Sequence, residues 1–479
     1  MSGLDSLSDA VNDGIAFFND YFWGISFVFL IGLGLMFTYK LKFLQIARIR
    51  ETSRLALSGV SEGKKTTKIS SFEAFCIGMG ARIGVGNIAG VATAIVTGGP
   101  GAVFWMWIFA IIGSASSFME STLAQIYKEK KEDGHFYGGP AYYASKGLGN
   151  RKLGIVAAVL LVLTFGIGFV AVQSTNASNA LCGAFEFDNN HLVFALIIAI
   201  IAALIIFRGL KAAAKFSANV VPYMALLWIV FAIIVICFNI DGAVNAFVMI
   251  FEYAFTVPSA IGGMIGTVVL TGLKRGVFSN EAGLGSVANV AATADVKHPV
   301  KQGMIQSFGV LVDTLIVCSF TAIVILSYGD FETILAFGDK GSVLVEDIVA
   351  DSVGSDITNY IIALFMFVFA FTSLIGYYTM SESNARFIKD DKKVINGVRL
   401  LVILVAFCAA CVEDVSLVDS FSDTFMAAMA AVNMTIVALL SRRVFEAYRD
   451  YRKQKDAGVE EPVFHKEALS DSTGVTEWD

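Results

Sequence analysis

Gly78 to Val96 reads GMGARIGVGNIAGVATAIV, and Gly98 to Gly113 follows it as GGPGAVFWMWIFAIIG. The first stretch is apolar enough to cross a membrane, yet Gly78, Gly80, Gly84, Gly86 and Gly90 crowd it, with Arg82 and Asn87 inside. Glycine weakens a helix interior by about 1 kcal/mol per residue, so this segment is expected to break. In hydrocarbon every peptide N–H and C=O needs a partner, unless the broken stretch is buried in protein or lines a cavity. A break at bilayer depth is therefore a candidate site for an ion and a polar solute. Gly80 with Gly84, and Gly86 with Gly90, also have the spacing that lets helices pack closely. The two readings can coexist.

The rest of the chain supports a membrane setting. Apolar residues make up 56% of its 479 residues and charged ones only 16%, against about 25% in soluble domains. Eleven apolar runs are long enough to cross as helices. They lie near 21–39, 72–97, 101–127, 153–181, 192–207, 217–238, 259–292, 302–328, 359–385, 395–411 and 417–440. No cleavable signal peptide is expected, because the first twenty residues carry Asp5, Asp9, Asp13 and Asp20 rather than a basic stretch. The six cysteines fall mostly in apolar runs and read as small hydrophobes; Cys408 and Cys411 form a CxxC with no second pair. His135, His191, His298 and His465 all fall in expected loops. This argues against a metalloenzyme built on intramembrane histidines.

Charge gives the orientation. Of the 35 Lys and Arg, all but Arg82, Lys274, Arg275 and Lys340 cluster at 40–68, 128–152, 208–215, 297–301, 386–399 and from Arg442 onward. The alternate loops are acidic, with Glu186, Asp188, Asp241, Asp330, Glu332, Glu346, Asp347, Asp351, Glu413 and Asp414. Basic loops face the cytoplasm, so the expectation is an odd number of crossings with the N-terminus outside and the C-terminus inside. Residues 1–20 read as an extracytoplasmic segment, 21–441 as the transmembrane domain, and 442–479 as a mobile cytoplasmic tail.

With the first span set aside, ten remain, divisible into repeats at 72–239 and 258–441. The first opens on the Gly-rich segment. The second opens on 259–292, which GLKRGVFSNEAGLGS (Gly272 to Ser286) interrupts. Sets of five spans have opposite orientations, and paired interrupted helices in inverted repeats point to a transporter's central site. Residue-level identity between the halves is not evident, so the repeat rests on layout.

GGPGAVFWMWIFAIIG resembles the signature of the alanine/glycine:cation symporters, also called sodium:alanine symporters. RIGVGNIAGVATAI, LKRGVFSNEAGLGS and HPVKQG (His298 to Gly303) resemble that family's other characteristic stretches, and the likeness runs from about residue 14 to 445. It implies an all-α integral membrane protein of the leucine-transporter fold, a 5+5 inverted repeat with one extra N-terminal helix. It further implies sodium as coupling ion, no organic cofactor, no enzymatic activity and the plasma membrane of a prokaryote. The implied partners are a small neutral amino acid (alanine or glycine) and the bilayer, not nucleic acid. Oligomeric state is left open.

The same resemblance assigns residues. The family's Gly-Thr-Gly-Asn unwinding reads here Gly84-Val85-Gly86-Asn87, whose freed N–H groups and amide side chain can hold a substrate carboxylate. Phe278, Ser279, Asn280, Ala282 and Gly283 are placed in the second break, with carbonyls toward the substrate ammonium and Phe278 limiting side-chain volume. Gln173 is a further substrate candidate, or alternatively a helix–helix hydrogen bond. Thr372 and Ser373 resemble the hydroxyl pair of a sodium site, with Gly80, Ile83 and Phe369 adding backbone oxygens. Hydroxyls in helices often bond back to their own backbone instead. Tyr377, where the family commonly has Trp, is expected to cap the pocket. Tyr377 and Val85 are the local departures, and they weaken any statement of exact substrate.

Charges at bilayer depth need partners. Arg82 and Glu120 are expected to form an ion pair. Lys274, Arg275 and Glu281 are expected to form a second network, with Asp313 as a possible member. The competing classes are a proton-coupled carrier, a channel and a membrane-embedded enzyme. The last lacks any metal-spaced or nucleophile–base set.

Overall fold

Two helices stop short in mid-course, and the rest of the architecture is arranged around them. The computed structural model describes residues 2–58, 68–185, 191–255, 264–338, 341–413 and 415–479. Its principal helices are α1 (Ser2–Lys40), α2 (Ser71–Arg82), α3 (Ala89–Gly98), α4 (Gly101–Ile126) and α5 (Arg151–Ala184). After them come α6 (His191–Ile206), α7 (Leu210–Phe238), α8 (Ile240–Phe255), α9 (Met264–Asn280) and α10 (Ser286–Thr293). The chain continues through α11 (Pro299–Leu326), α12 (Ser342–Val353), α13 (Ile357–Ile388), α14 (Lys392–Ala410) and α15 (Ser416–Asp456). A two-stranded hairpin pairs Glu129–Lys130 with Phe136–Tyr137.

Among the described residues, eight helices are long and apolar enough to cross a membrane. Three of the eleven expected spans fall outside that set. The runs at 72–97 and 259–292 become helix pairs around a break, and 192–207 becomes the 16-residue α6. The run expected at 217–238 starts earlier, at Leu210. The starts of the 259–292 span and of the second repeat at 258 lie outside the described residues. So do Glu186, Asp188, Lys340, Asp414 and part of the basic stretch 40–68. Among the principal helices two were not anticipated: α8, short and carrying Asp241 and Glu252, and α12, in an acidic loop.

The breaks have local causes. A capping box starts α2: the Ser70 hydroxyl accepts from the Glu73 N–H at 3.1 Å, and the Glu73 carboxylate accepts from the Ser70 N–H at 2.9 Å. The helix ends at Arg82, Gly84 is extended, and one 3₁₀ turn (Val85–Asn87) precedes α3. Beyond Asn280, Glu281 (φ 58), Gly283 (φ 86) and Gly285 (φ 73) are left-handed, a conformation that ends a right-handed helix. The second break is thus Glu281–Gly285. Phe278, Ser279 and Asn280, expected inside it, form the last turn of α9.

At their far ends the broken helices are tied together. Ile69 bridges Ala294, the Asp295 N–H donates to the Ile69 carbonyl at 2.9 Å, and Lys68 pairs with Asp295 at 2.6 Å. Two of the unbroken helices contain π segments, Val162–Phe169 within α5 and Val312–Cys318 within α11. Such widened turns frequently mark functional sites.

The tail corrects the expectation of a mobile end. Trp478 is buried and its indole N–H donates to the Gln125 carbonyl at 2.9 Å. The Lys128 ammonium lies between the Phe136 and Trp478 rings, 4.3 and 4.5 Å from their centroids. Phe464 packs on His298 and Trp478, and its N–H donates to the Lys297 carbonyl at 2.9 Å. Apolar anchors at Phe464, Leu469, Val475 and Trp478 hold a segment whose average composition is polar.

Candidate functional site

The first break faces α5, α9, α11 and α13. The Gly84 N–H donates to Asn87 Oδ1 at 3.0 Å and the Val85 N–H to Gln173 Oε1 at 3.0 Å. Two of the freed amides are therefore satisfied by side-chain oxygens, which occupy the place a carboxylate oxygen could take. A methyl group on Gly86 would stand 3.0 Å from the Phe278 ring. Phe278 stacks on Phe169 at 4.7 Å, and Tyr377 closes the aromatic wall against Phe165 and Phe169 at 5.4 and 5.5 Å. The Tyr377 hydroxyl donates to the Ala81 carbonyl at 3.0 Å and lies 3.5 Å from Gln173 Nε2. Seven expected substrate residues thus meet: Val85, Gly86, Asn87, Gln173, Phe278, Ser279 and Tyr377.

The other three face elsewhere. Asn280 bonds Thr314 and the Ala282 N–H through its side chain, and its carbonyl accepts from Arg82. Ala282 packs on Gly113, and the Gly283 carbonyl accepts from Asn433 at 2.8 Å. Beyond Asn280 the chain turns toward α4 and α15, away from the first break.

Beside this wall the expected cation oxygens converge. The Ser373 hydroxyl donates to the Gly80 carbonyl at 2.9 Å, and the Thr372 hydroxyl donates to the Phe369 carbonyl at 3.0 Å. Ile83, fully buried, ends α2 at the same place. This is a neutral set of two hydroxyls and two carbonyls shared by α2 and α13. The Thr372 hydroxyl bonds back to its own helix, whereas the Ser373 hydroxyl crosses to the end of α2.

The charged groups distribute differently from the expectation. Arg82 donates to the carbonyls of Asn280 and Gln306 at 2.9 Å and to the Ser117 hydroxyl at 2.9 Å. Glu120 accepts from the Gly285 N–H at 3.0 Å and from Asn433 at 2.8 Å. The expected Arg82–Glu120 contact pair is not formed, because the Asn280 carbonyl before the second interruption, the Gln306 carbonyl of α11 and the Ser117 hydroxyl claim the guanidinium. The expected Lys274–Arg275–Glu281 network also divides. Arg275 pairs with Asp419 and Asp423 at 3.5 and 3.8 Å, Glu281 accepts from Ser286 at 2.6 Å, and Lys274 lies over the Trp23 ring.

Asp313 joins the site instead. It accepts from Asn87 Nδ2 at 2.7 Å and from the Ser279 hydroxyl at 2.6 Å. Thr314 and Cys318 complete this cluster. The sequence offers Asp313 only as a possible member of the Lys274–Arg275–Glu281 network, and its only signal there is a carboxylate at bilayer depth. Among the described residues no cluster of metal-ligating His, Cys, Asp or Glu occurs.

Known proteins share this chain's sequence and fold. A family model described as the sodium:alanine symporter family matches residues 8–466. The chain is 45% identical over 466 residues to a probable sodium/glutamine symporter, GlnT, of Bacillus subtilis, covering 97% of this chain and 95% of that protein. It is 42% identical over 462 residues to the amino-acid carrier protein AlsT of the same organism, covering 96% of each. Identity to the sodium/alanine symporter AgcS of Methanococcus maripaludis is 34% over 448 residues, covering 91% of this chain and 97% of that protein. Among solved structures, that of MhsT in complex with L-phenylalanine is similar with a TM-score of 0.56 at 15% identity, covering 78% of this chain and 90% of that one. This last likeness carries the fold alone, the all-α leucine-transporter architecture. Matching sequence over nearly its full length and the paired broken helices agree: the chain belongs to the sodium:alanine symporter family of membrane transporters.

Proposed function

We propose that the protein is a sodium-coupled importer of small neutral amino acids, alanine or glycine first, working by alternating access. The observation that carries this reading is the meeting of the first break with Gln173, Phe278 and Tyr377, directly beside the oxygens of Gly80, Phe369, Thr372 and Ser373. In this reading the amino-acid carboxylate takes the place of the Gln173 oxygen on the Val85 amide, while Asn87 keeps the Gly84 amide and with it the shape of the break. Phe278 and Tyr377 limit the side chain, and sodium orders the end of α2. By linkage, sodium and amino acid raise each other's affinity by the same factor. The chain crosses the plasma membrane of a prokaryote eleven times, N-terminus outside, as the alternation of charge supports.

Sodium-driven uptake of labelled alanine into proteoliposomes tests the proposal, with alanine, glycine and glutamine as competitors. Accumulation that persists when potassium replaces sodium at a fixed pH gradient would reject sodium coupling. Glutamine is in the panel because GlnT is named for it. Against it stands the close approach of Phe278 to Gly86. Proton coupling is the second reading, favoured by the buried carboxylates of Asp313 and Glu281. Its signature is uptake driven by the pH gradient alone.

A further inference from the structure

Asn87 is held by two opposite demands. Its Oδ1 accepts from the Gly84 N–H at 3.0 Å, and its Nδ2 donates to Asp313 Oδ1 at 2.7 Å. A carboxamide has one acceptor end and one donor end, whereas an ionised carboxylate only accepts. The carboxylate therefore dictates which end of Asn87 faces it, and by exclusion turns Oδ1 toward the broken backbone. The second oxygen of Asp313 accepts from the Ser279 hydroxyl at 2.6 Å, in the last turn before the other break, and from Thr314 at 3.2 Å. Cys318 lies 3.3 Å from Asn87 Nδ2 and 3.2 Å from the Ser279 hydroxyl. One buried carboxylate, carried on the π segment of α11, thus touches both interrupted helices.

We propose that Asp313 is a positioning residue for transport: it fixes the polarity of the Asn87 amide and the register of Ser279, so that the first break is shaped for an amino-acid carboxylate. The inference rests on the proposed amino-acid function and deepens it. Asp313 acts through Asn87 and Ser279, not on the solute directly. Arg82 does not replace it in this role, because its guanidinium is engaged by the carbonyls of Asn280 and Gln306 and by Ser117. A merely structural carboxylate could be exchanged for an amide of the same shape at little cost to solute affinity. A positioning carboxylate could not, since a carboxamide in place of the Asp313 carboxylate offers both a donor and an acceptor and lets the Asn87 amide turn either way.

The test is an exchange of the two groups, measured on purified full-length protein by sodium-driven alanine uptake into proteoliposomes. The variants are Asp313→Asn, Asn87→Asp and the double swap carrying both. Asp313→Asn is expected to raise the alanine KM about ten- to hundredfold, the size of one lost charge-assisted hydrogen bond. Its maximal rate and its half-saturating sodium should move less than about threefold. Asn87→Asp sets two carboxylates face to face and is expected to abolish uptake. The swap restores one amide against one carboxylate. It leaves an acceptor toward Gly84, so uptake should return with a KM nearer to wild type than that of Asp313→Asn.

A wild-type alanine KM in Asp313→Asn would overturn the assignment. So would a swap no more active than Asn87→Asp, whether the swapped protein is folded or not. If the single variants fail to fold, the swap alone decides. Wild-type protein that moves no amino acid at all refutes the functional reading itself, a failure visible before any variant is measured.

Discussion

Ser373, on α13, donates its hydroxyl to the carbonyl of Gly80, on α2, across 2.9 Å. The bond joins α13 to the last turn of α2 before the first break, so what happens to this oxygen pair is felt at Gly84. A cation seated between them would replace one hydroxyl donor with a point charge, drawing both oxygens to one centre. Coupling between ion and solute then follows from adjacency, with no long path to invoke.

Ser373→Ala removes that hydroxyl, and Thr372→Ala removes its neighbour. Each is expected to raise half-saturating sodium by about tenfold, a loss of roughly 1.4 kcal/mol. The alanine KM at saturating sodium should change far less. Sodium titrations of uptake check this; an unchanged sodium dependence in both variants rejects the oxygen cluster as the ion site.

Gly84→Ala puts a methyl group against the Ser373 hydroxyl and within 3 Å of both terminal atoms of Gln173. The backbone there is extended and tolerates a side chain, so the obstacle is space alone. Uptake is expected to be lost while the protein still elutes as one species from size-exclusion chromatography. Near-normal uptake by Gly84→Ala would show that the first break does not close on α5 and α13.

Gln173→Leu keeps the volume and removes the oxygen that satisfies the Val85 N–H. A buried amide left unpaired costs about 1–3 kcal/mol. An amino-acid carboxylate that takes over that amide no longer has to displace the Gln173 oxygen, so the alanine KM is expected to fall about tenfold with little change in sodium dependence; competition uptake measures it, and a raised KM would mean that Gln173 itself holds the solute.

His298 lies just before α11 and holds the tail. Its Nδ1 accepts from the Val300 N–H at 3.2 Å, Nε2 lies 3.3 Å from Asp450, and Phe464 packs on its ring. Burial lowers its pKa to about 4, against the pull of Asp450. A folded pKa below the unfolded value means the unfolded chain binds the proton more readily. The contribution is therefore complete above about pH 6.5 and is lost as pH falls toward 4. Apparent melting temperature should drop between pH 7 and 5, and His298→Asn, which keeps a capping acceptor, should flatten that slope. Parallel pH profiles for wild type and variant would show that His298 is not the titrating group.

Trp478→Ala deletes the anchor that covers Lys128 and bonds the Gln125 carbonyl. Truncating a well-packed aromatic typically costs about 3–5 kcal/mol, less where the segment can lift away as a unit. A melting temperature lower by several degrees is expected, together with faster proteolysis after Asp456. Unchanged values for both would mean that the tail does not rest on α4.

The membrane class and the two interruptions were legible in the chain. Composition sets burial in lipid, and glycine clusters set where a helix cannot continue; both act over a few residues at a time. Tertiary structure alone decided which carboxylate meets which donor. Arg82 and Glu120 lie at comparable depth, yet the carbonyls of Asn280 on α9 and Gln306 on α11 hold the guanidinium instead. Asp313 reached Asn87, 226 residues away, only because α11 is laid against both broken helices. It also decided that Ala282 and Gly283 turn away from the site, since left-handed Glu281 redirects the chain one residue after Asn280. The tail showed the same limit: its polar average concealed four apolar anchors, whose value depends on the surface that receives them. Local preference comes from a residue and its near neighbours, whereas buried polar groups are matched by whatever the packing brings within about 3 Å.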